Sequence, residues 1–235
     1  MLNLLLKSIR KNSDKNKALL LQRFFKTGKG QYGEGDLFLG LTVPQSREIA
    51  LEFKDMPYED LNTLLKSKYH EERLISLLIL VHRYEKNEPE RKKVFDFYLK
   101  NRKGINNWDL VDLSAPRIVG RHLYDNGPDS SILHQYAKSI DLWEKRIAIV
   151  STMYFISKGS FDETLSITEQ LMQDKHDLIH KACGWMLREV GKKDESVLKK
   201  FLSKHYKKMP RTMLRYAIER FPEHVRKAYL KGTIK

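Results

Sequence analysis

The sequence predicts an all-α protein, a superhelical stack of two-helix repeats (an α-solenoid) whose concave face serves as the binding surface. Three observations carry this reading. Apolar residues recur at helical spacing almost everywhere, and no convincing run of hairpins occurs. Long helical patterns begin near residues 70, 107, 142, 177 and 210, and a shorter helix fits between most of them. That spacing is the period of stacked two-helix repeats. Finally, "ERLISLLIL", "KRIAIVSTMYF" and "HKACGWMLREV" share a basic residue followed by small and apolar ones. An irregular helical bundle is the alternative architecture. No linker or low-complexity segment divides the chain, so residues 1–235 read as one domain.

Each element has a local reason. "MLNLLLKSIRKN" has an apolar run too short for a signal peptide. "NKALLLQRFFK" reads as an early helix. "HEERLISLLILVHRYEK" carries apolar residues at 74, 75 and 77–81, too many for an exposed strand and long enough for a buried helix. "RKKVFDFYLKN", "DLWEKRIAIVSTMYFISK", "FDETLSITEQLM" and "DLIHKACGWMLREVGKK" continue with three-to-four spacing. Stops are expected at Pro57, Pro89, Gly104, Pro128, Gly159, Gly191, Pro210 and Pro222. No apolar run reaches membrane-spanning length.

The formal net charge is +14. Residues 181–235 hold 16 Lys/Arg against 5 Asp/Glu, so most of the excess sits in the last quarter. Such a surface attracts phosphates or anionic lipid. Without an amphipathic membrane anchor, nucleic acid is the favoured partner. Lys207, Lys208, Arg211 and Arg215 are spaced to line one side of the terminal helices. The single cysteine, Cys183, excludes an internal disulfide and favours a reducing compartment, so a cytoplasmic location is expected.

Two motifs promise more than they deliver. "GKGQYG" (28–33) matches a dinucleotide fingerprint, but it follows a helix instead of a strand. It reads as a connection in which glycine supplies positive φ, and no cofactor is expected. His176, His180 and Cys183 share a helix face, yet no fourth ligand is indicated, so they read as core and cap residues and no metal is expected.

The stretch "GINNWDLVD" (104–112) sets an aromatic among acids in a basic protein. Trp108 and Asp112 are four apart and share a helix face. Asp109 sits in the first turn, where the helix dipole suits a carboxylate and Asn106 or Asn107 can cap. Asp112 lies a turn beyond that explanation. Pro116 has no N–H for the Asp112 carbonyl, so a kink is expected there. Trp143 precedes Arg146 by three residues and Trp185 precedes Arg188 by three, so each pair can share a face. Each tryptophan alone also fits a core position.

"NWDLVD", "LWEKRIAI" and "KACGWMLREVGK", with "LFLGLTVPQSREIA" near the front, resemble the AlkD-type DNA glycosylases built from HEAT-like repeats. The resemblance runs from about residue 20 to about 220. It implies excision of positively charged N3- and N7-alkylated purines from duplex DNA, in base excision repair, by a monomer without cofactor. It further implies that Asp112 is the catalytic carboxylate and that Trp108 and Trp185 cradle the deoxyribose. Arg146 would stand beside the phosphate, and Phe24 and Phe25 where the second helix approaches the lesion. Arg47, in the early segment, and Arg188 join the DNA-binding residues. Two positions depart from some relatives. Asn107 stands where a second aromatic can precede the key tryptophan, and Phe24 lacks a tyrosine's hydroxyl; both bear on substrate breadth. The alternative is a HEAT-like nucleic-acid-binding protein without catalysis. A protein-interaction solenoid is the third reading, which the basic last quarter disfavours.

Overall fold

The structure, a computed structural model, describes residues 1–127 and 129–234. The stop expected at Pro128 lies outside the described residues. The chain divides into two compact units, Met1–Ser114 and Ala115–Lys235. Both are helical, and the described residues contain no strand beyond an isolated parallel bridge between Leu37 and Tyr69.

The first unit comprises α1 (Leu2–Lys11), α2 (Lys15–Phe24), α3 (Val43–Glu52), α4 (Tyr58–Leu65), α5 (His70–Lys86), α6 (Arg91–Lys100) and α7 (Trp108–Ala115, whose last residue belongs to the second unit). Helix α5 is the axis, packed against α3, α4 and α6. Its expected apolar run is the core: Leu74, Ile75 and Leu77–Val81 are all buried. The second unit comprises α8 (Arg121–Asp125), α9 (Ser131–Ala137), α10 (Leu142–Ser157), α11 (Asp162–Leu171), α12 (Asp177–Lys193), α13 (Glu195–His205), α14 (Arg211–Ala217) and α15 (Glu223–Lys231). Helices α10, α12 and α14 pack side by side in sequence order, with α9, α11 and α13 against them. The five expected starts fall within one residue of His70, Trp108, Leu142, Asp177 and Arg211, but only α5, α10 and α12 are long; α7 has 8 residues and α14 has 7. The class is therefore all-α, consistent with a solenoid of two-helix repeats.

The break at Pro116 takes the form of a π-helical stretch, Pro116–Gly120, directly after α7. Removing the N–H that the Asp112 carbonyl would accept is a local cause of that change of ladder. Gly191, by contrast, does not stop a helix, since α12 continues through it to Lys193. Its role is close approach: a Cβ there would lie 2.4 Å from Cδ2 of Leu198 on α13. The "GKGQYG" stretch is a loop between α2 and α3, and Gly30 does take a positive φ of 75°.

The segment between that loop and α3 forms a bridge only at Leu37, so the N–H groups of Leu39, Gly40 and Leu41 need other acceptors. Glu71 supplies them. Its buried carboxylate accepts from the backbone N–H of Leu39 (3.0 Å), Gly40 (2.8 Å) and Leu41 (3.3 Å). Unpaired buried N–H groups cost about 1–3 kcal/mol each. Glu71→Ala is therefore expected to lose at least about 3 kcal/mol in urea unfolding, and Glu71→Gln less, because its amide oxygen still accepts. A loss below about 1 kcal/mol for the alanine variant would mean that the segment finds other acceptors.

Candidate nucleic-acid and active-site residues

The first turn of α7 is held from beneath by buried polar groups. Asn107 caps it: its carbonyl receives Val111 N–H at 3.2 Å and its Oδ1 receives Trp108 N–H at 2.8 Å. The Asn107 amide also donates to Asp36 Oδ2 at 3.2 Å. Asp36 receives Arg73 Nη2 at 2.7 Å as well, and its Oδ2 lies 3.6 Å from His70 Nδ1. The other imidazole nitrogen, Nε2, is 2.7 Å from Asp109 Oδ2. Asp36, His70, Arg73 and Asn107 are all buried. Asp109 is thus more than a partner of the helix dipole. It hydrogen-bonds a buried histidine 39 residues away, a contact that local spacing does not disclose.

Aromatic rings cover this network. Phe25 stacks on Trp108 with centroids 5.2 Å apart, and Phe24 meets Trp108 edge-on at 6.0 Å. Phe25 and Phe38 both lie against the His70 ring, at 4.9 and 4.6 Å. Phe25 is buried, whereas Phe24 is exposed and Trp108 half-buried. The structure therefore brings together Phe24, Phe25 and Trp108, with the half-buried Asp112 one turn along α7. Sequence reasoning missed Asp36, Phe38, His70 and Arg73. The signal for His70 and Arg73 was the charged run "HEER" opening an otherwise apolar helix; Asp36 and Phe38 had none.

In the second unit the predicted residues divide. Trp143 and Trp185 are half-buried. Arg146 is buried, and its Nη1 donates to the Leu178 carbonyl at 2.7 Å, so what the fold displays for it is a structural contact between α10 and α12. Arg188 is ion-paired with Glu219 and Glu189. Lys207, Lys208, Arg211 and Arg215 are exposed, and Arg211 Nη1 donates to the Leu230 carbonyl at 2.5 Å. Arg47, in the first unit, is exposed on α3. Among the described residues no group of three His, Cys, Asp or Glu is arranged for a metal. His176 caps α12 by accepting Leu178 N–H, His180 Nε2 bonds the Asp174 carbonyl, and Cys183 is fully buried, with its thiol pushed upward by desolvation. No helix of the described residues is long and apolar enough to cross a membrane.

Burial alone would lower the pKa of His70, but its hydrogen bond to Asp109 and the Asp36 carboxylate 3.6 Å away outweigh that and raise it above 6.5. Burial would raise the Asp36 carboxyl; His70, Arg73 and Asn107 outweigh it and hold the group below 3.8. For the raised histidine, the stabilisation is complete below pH 6.5 and is lost as pH rises through the folded value. Urea midpoints are expected to fall as pH rises above about 6.5, and His70→Gln to flatten that dependence. Asp109→Asn should flatten it too and cost about 1–3 kcal/mol near pH 6. Parallel pH profiles for wild type and His70→Gln would remove this pair from the stability.

The comparisons with known proteins agree with this arrangement of helices. A solved structure described as a predicted DNA alkylation repair enzyme from Enterococcus faecalis superimposes with a TM-score of 0.69 at 14% identity. The match covers 90% of this chain and 98% of that one, which shows a shared fold. No curated protein matches the chain. The model of one family, described as DNA alkylation repair enzyme, matches residues 5–221 and so spans nearly the whole sequence. The chain belongs to the DNA alkylation repair enzyme family.

Proposed function

We propose that this protein is a DNA glycosylase that excises cationic N3- and N7-alkylated purines from duplex DNA by hydrolysing the N-glycosidic bond. The observation that carries the reading is the setting of Asp112: half-buried, it shares a face of α7 with Trp108, against which Phe24 and Phe25 pack. Membership of a DNA alkylation repair family supports damaged DNA as the substrate class.

The chemistry suits this pair. An alkylated purine already bears positive charge, so it departs without a general acid. As the bond breaks, positive charge grows on the sugar. A carboxylate beside the sugar stabilises that charge and can position the attacking water. An electron-rich indole face adds about 0.5–2 kcal/mol of cation–π attraction when desolvated. In this reading Asp112 is the catalytic carboxylate, and Trp108 and Trp185 contact the deoxyribose. Arg47, Phe24 and the exposed cations of the last quarter hold the duplex. Arg146 and Arg188 are both engaged with protein groups, and they serve the DNA indirectly by shaping α10 and α12.

Single-turnover release of 7-methylguanine at enzyme excess tests the mechanism. Asp112→Asn is expected to lose about a hundredfold to a thousandfold in rate, the value of one preorganised electrostatic group, while binding undamaged duplex at least as tightly. A near-native rate for that variant sinks the assignment. A wild-type protein that binds duplex yet releases no base would favour the non-catalytic nucleic-acid-binding reading.

Lys207, Lys208 and Arg215 have no carboxylate partner among the described residues, which makes them the clearest candidates for pairing with phosphate. Lys207→Ala with Arg215→Ala is expected to weaken duplex binding and to reduce the slope of log K against log salt by about 0.9 for each cation–phosphate pair removed. An unchanged slope would remove this face from the DNA surface.

A further inference from the structure

We infer that the Asp36–His70–Asp109 chain is a positioning clamp for α7, setting the rotation of Trp108 and Asp112 about the helix axis. The inference rests on the glycosylase reading for its catalytic consequence, but its geometry stands without it.

Helix α7 needs such a device. It has only eight residues and passes into a π-helical stretch at Pro116, so its own backbone bonds define its setting weakly. Its N-terminal turn is instead gripped at two points by one buried group of charges. Asp36 Oδ2 receives the amide of Asn107, whose Oδ1 in turn receives Trp108 N–H. His70 Nε2 grips Asp109 at 2.7 Å. Asp36 is fixed by Arg73, whose Nη1 is anchored on the Ser67 carbonyl at 2.8 Å. The His70 backbone N–H bonds the Leu37 carbonyl at 2.8 Å, which keeps Asp36 and His70 in register. The rings of Phe25 and Phe38 then pack on the imidazole, and Phe25 stacks on Trp108 itself. The grip therefore reaches Trp108 by two routes, one polar and one aromatic.

The composition of the clamp points the same way. It holds two acids, one arginine and a histidine, three of them almost fully buried. Apolar side chains of equal volume could give comparable stability, because burying charges carries a large desolvation penalty. Directional contacts give something that oil-like packing does not, a single rotational setting. The lever is short. At a side-chain radius of about 5–6 Å, a rotation of about 10° displaces a group by about 1 Å. A misplacement of that size can cost about a hundredfold in rate.

The test uses variants that keep the shape of the site. His70→Phe retains the ring stack and removes both polar contacts. His70→Gln retains a donor toward Asp109. Asp109→Asn cuts the same contact from the other side if His70→Phe fails to fold. Single-turnover excision is measured on protein verified as folded, alongside affinity for undamaged duplex. In parallel, Trp143→Phe with Trp185→Phe leaves Trp108 as the sole tryptophan, and its emission and acrylamide quenching report its setting. The expected result is a rate lowered about tenfold to a hundredfold at unchanged duplex affinity. Trp108 should become more accessible to quencher, and His70→Gln should partly restore both. An unmoved Trp108 overturns the clamp whatever the rate does, and so does a rate within twofold of wild type in an active protein. A wild-type protein that releases no base sinks the glycosylase reading instead, and the Trp108 reporter then still decides the clamp.

Discussion

Everything in the first unit leans on the first turn of α5. His70, Glu71, Glu72 and Arg73 follow one another there, and all four are buried. Four adjacent ionisable groups out of water are tolerated only because each is committed to a partner on a different element. Glu72 pairs with Arg10 of α1 at 2.7 Å. Glu71 collects the N–H groups of the segment leading to α3. Arg73 takes Asp36, and His70 takes Asp109 of α7. One helical turn thus fixes elements that lie 30 to 62 residues away in the chain, and the apolar remainder of α5 supplies the burial that drives them together.

That arrangement also resolves the conflict between a polyanionic partner and a carboxylate site. Several acids that could repel DNA are internally neutralised. Asp36 faces Arg73, Glu72 faces Arg10, and in the second unit Asp174 faces Lys145 at 2.6 Å. Cations near the C-terminal end remain at the surface. The net charge of +14 is therefore expressed outward, where it acts at long range, while the paired acids contribute little field beyond their neighbours. Affinity for DNA and the chemistry proposed for Asp112 can then reside on different groups.

How much of this the sequence disclosed depends on the range of the interaction. The helix starts at residues 70, 142 and 177 are legible because periodicity is local, and so is the break after Asp112, because Pro116 lacks an N–H whatever surrounds it. Gly191 misleads because its reason is a neighbouring helix, Leu198 of α13, and not the end of its own. Asp109 suits a helix dipole by position, but its partner is fixed by tertiary packing that no local pattern encodes. Arg146 and Arg211 show the same limit. Both look like cations for phosphate, yet each donates to a backbone carbonyl, of Leu178 and Leu230, that no motif announces. The aromatic trio of Phe24, Phe25 and Trp108 is suggested by resemblance, whereas the buried charges beneath it emerge only once the chain is folded.

Cys183 gives the family assignment a chemical corollary. Agents that alkylate purines are electrophiles, and a thiolate is the protein group they capture most readily. This chain has one thiol, and it lies fully buried within α12, where desolvation keeps it protonated. Burial thus shields the most nucleophilic side chain of the chain from such electrophiles for as long as the fold is intact. Exposure of the thiol becomes a chemical record of unfolding.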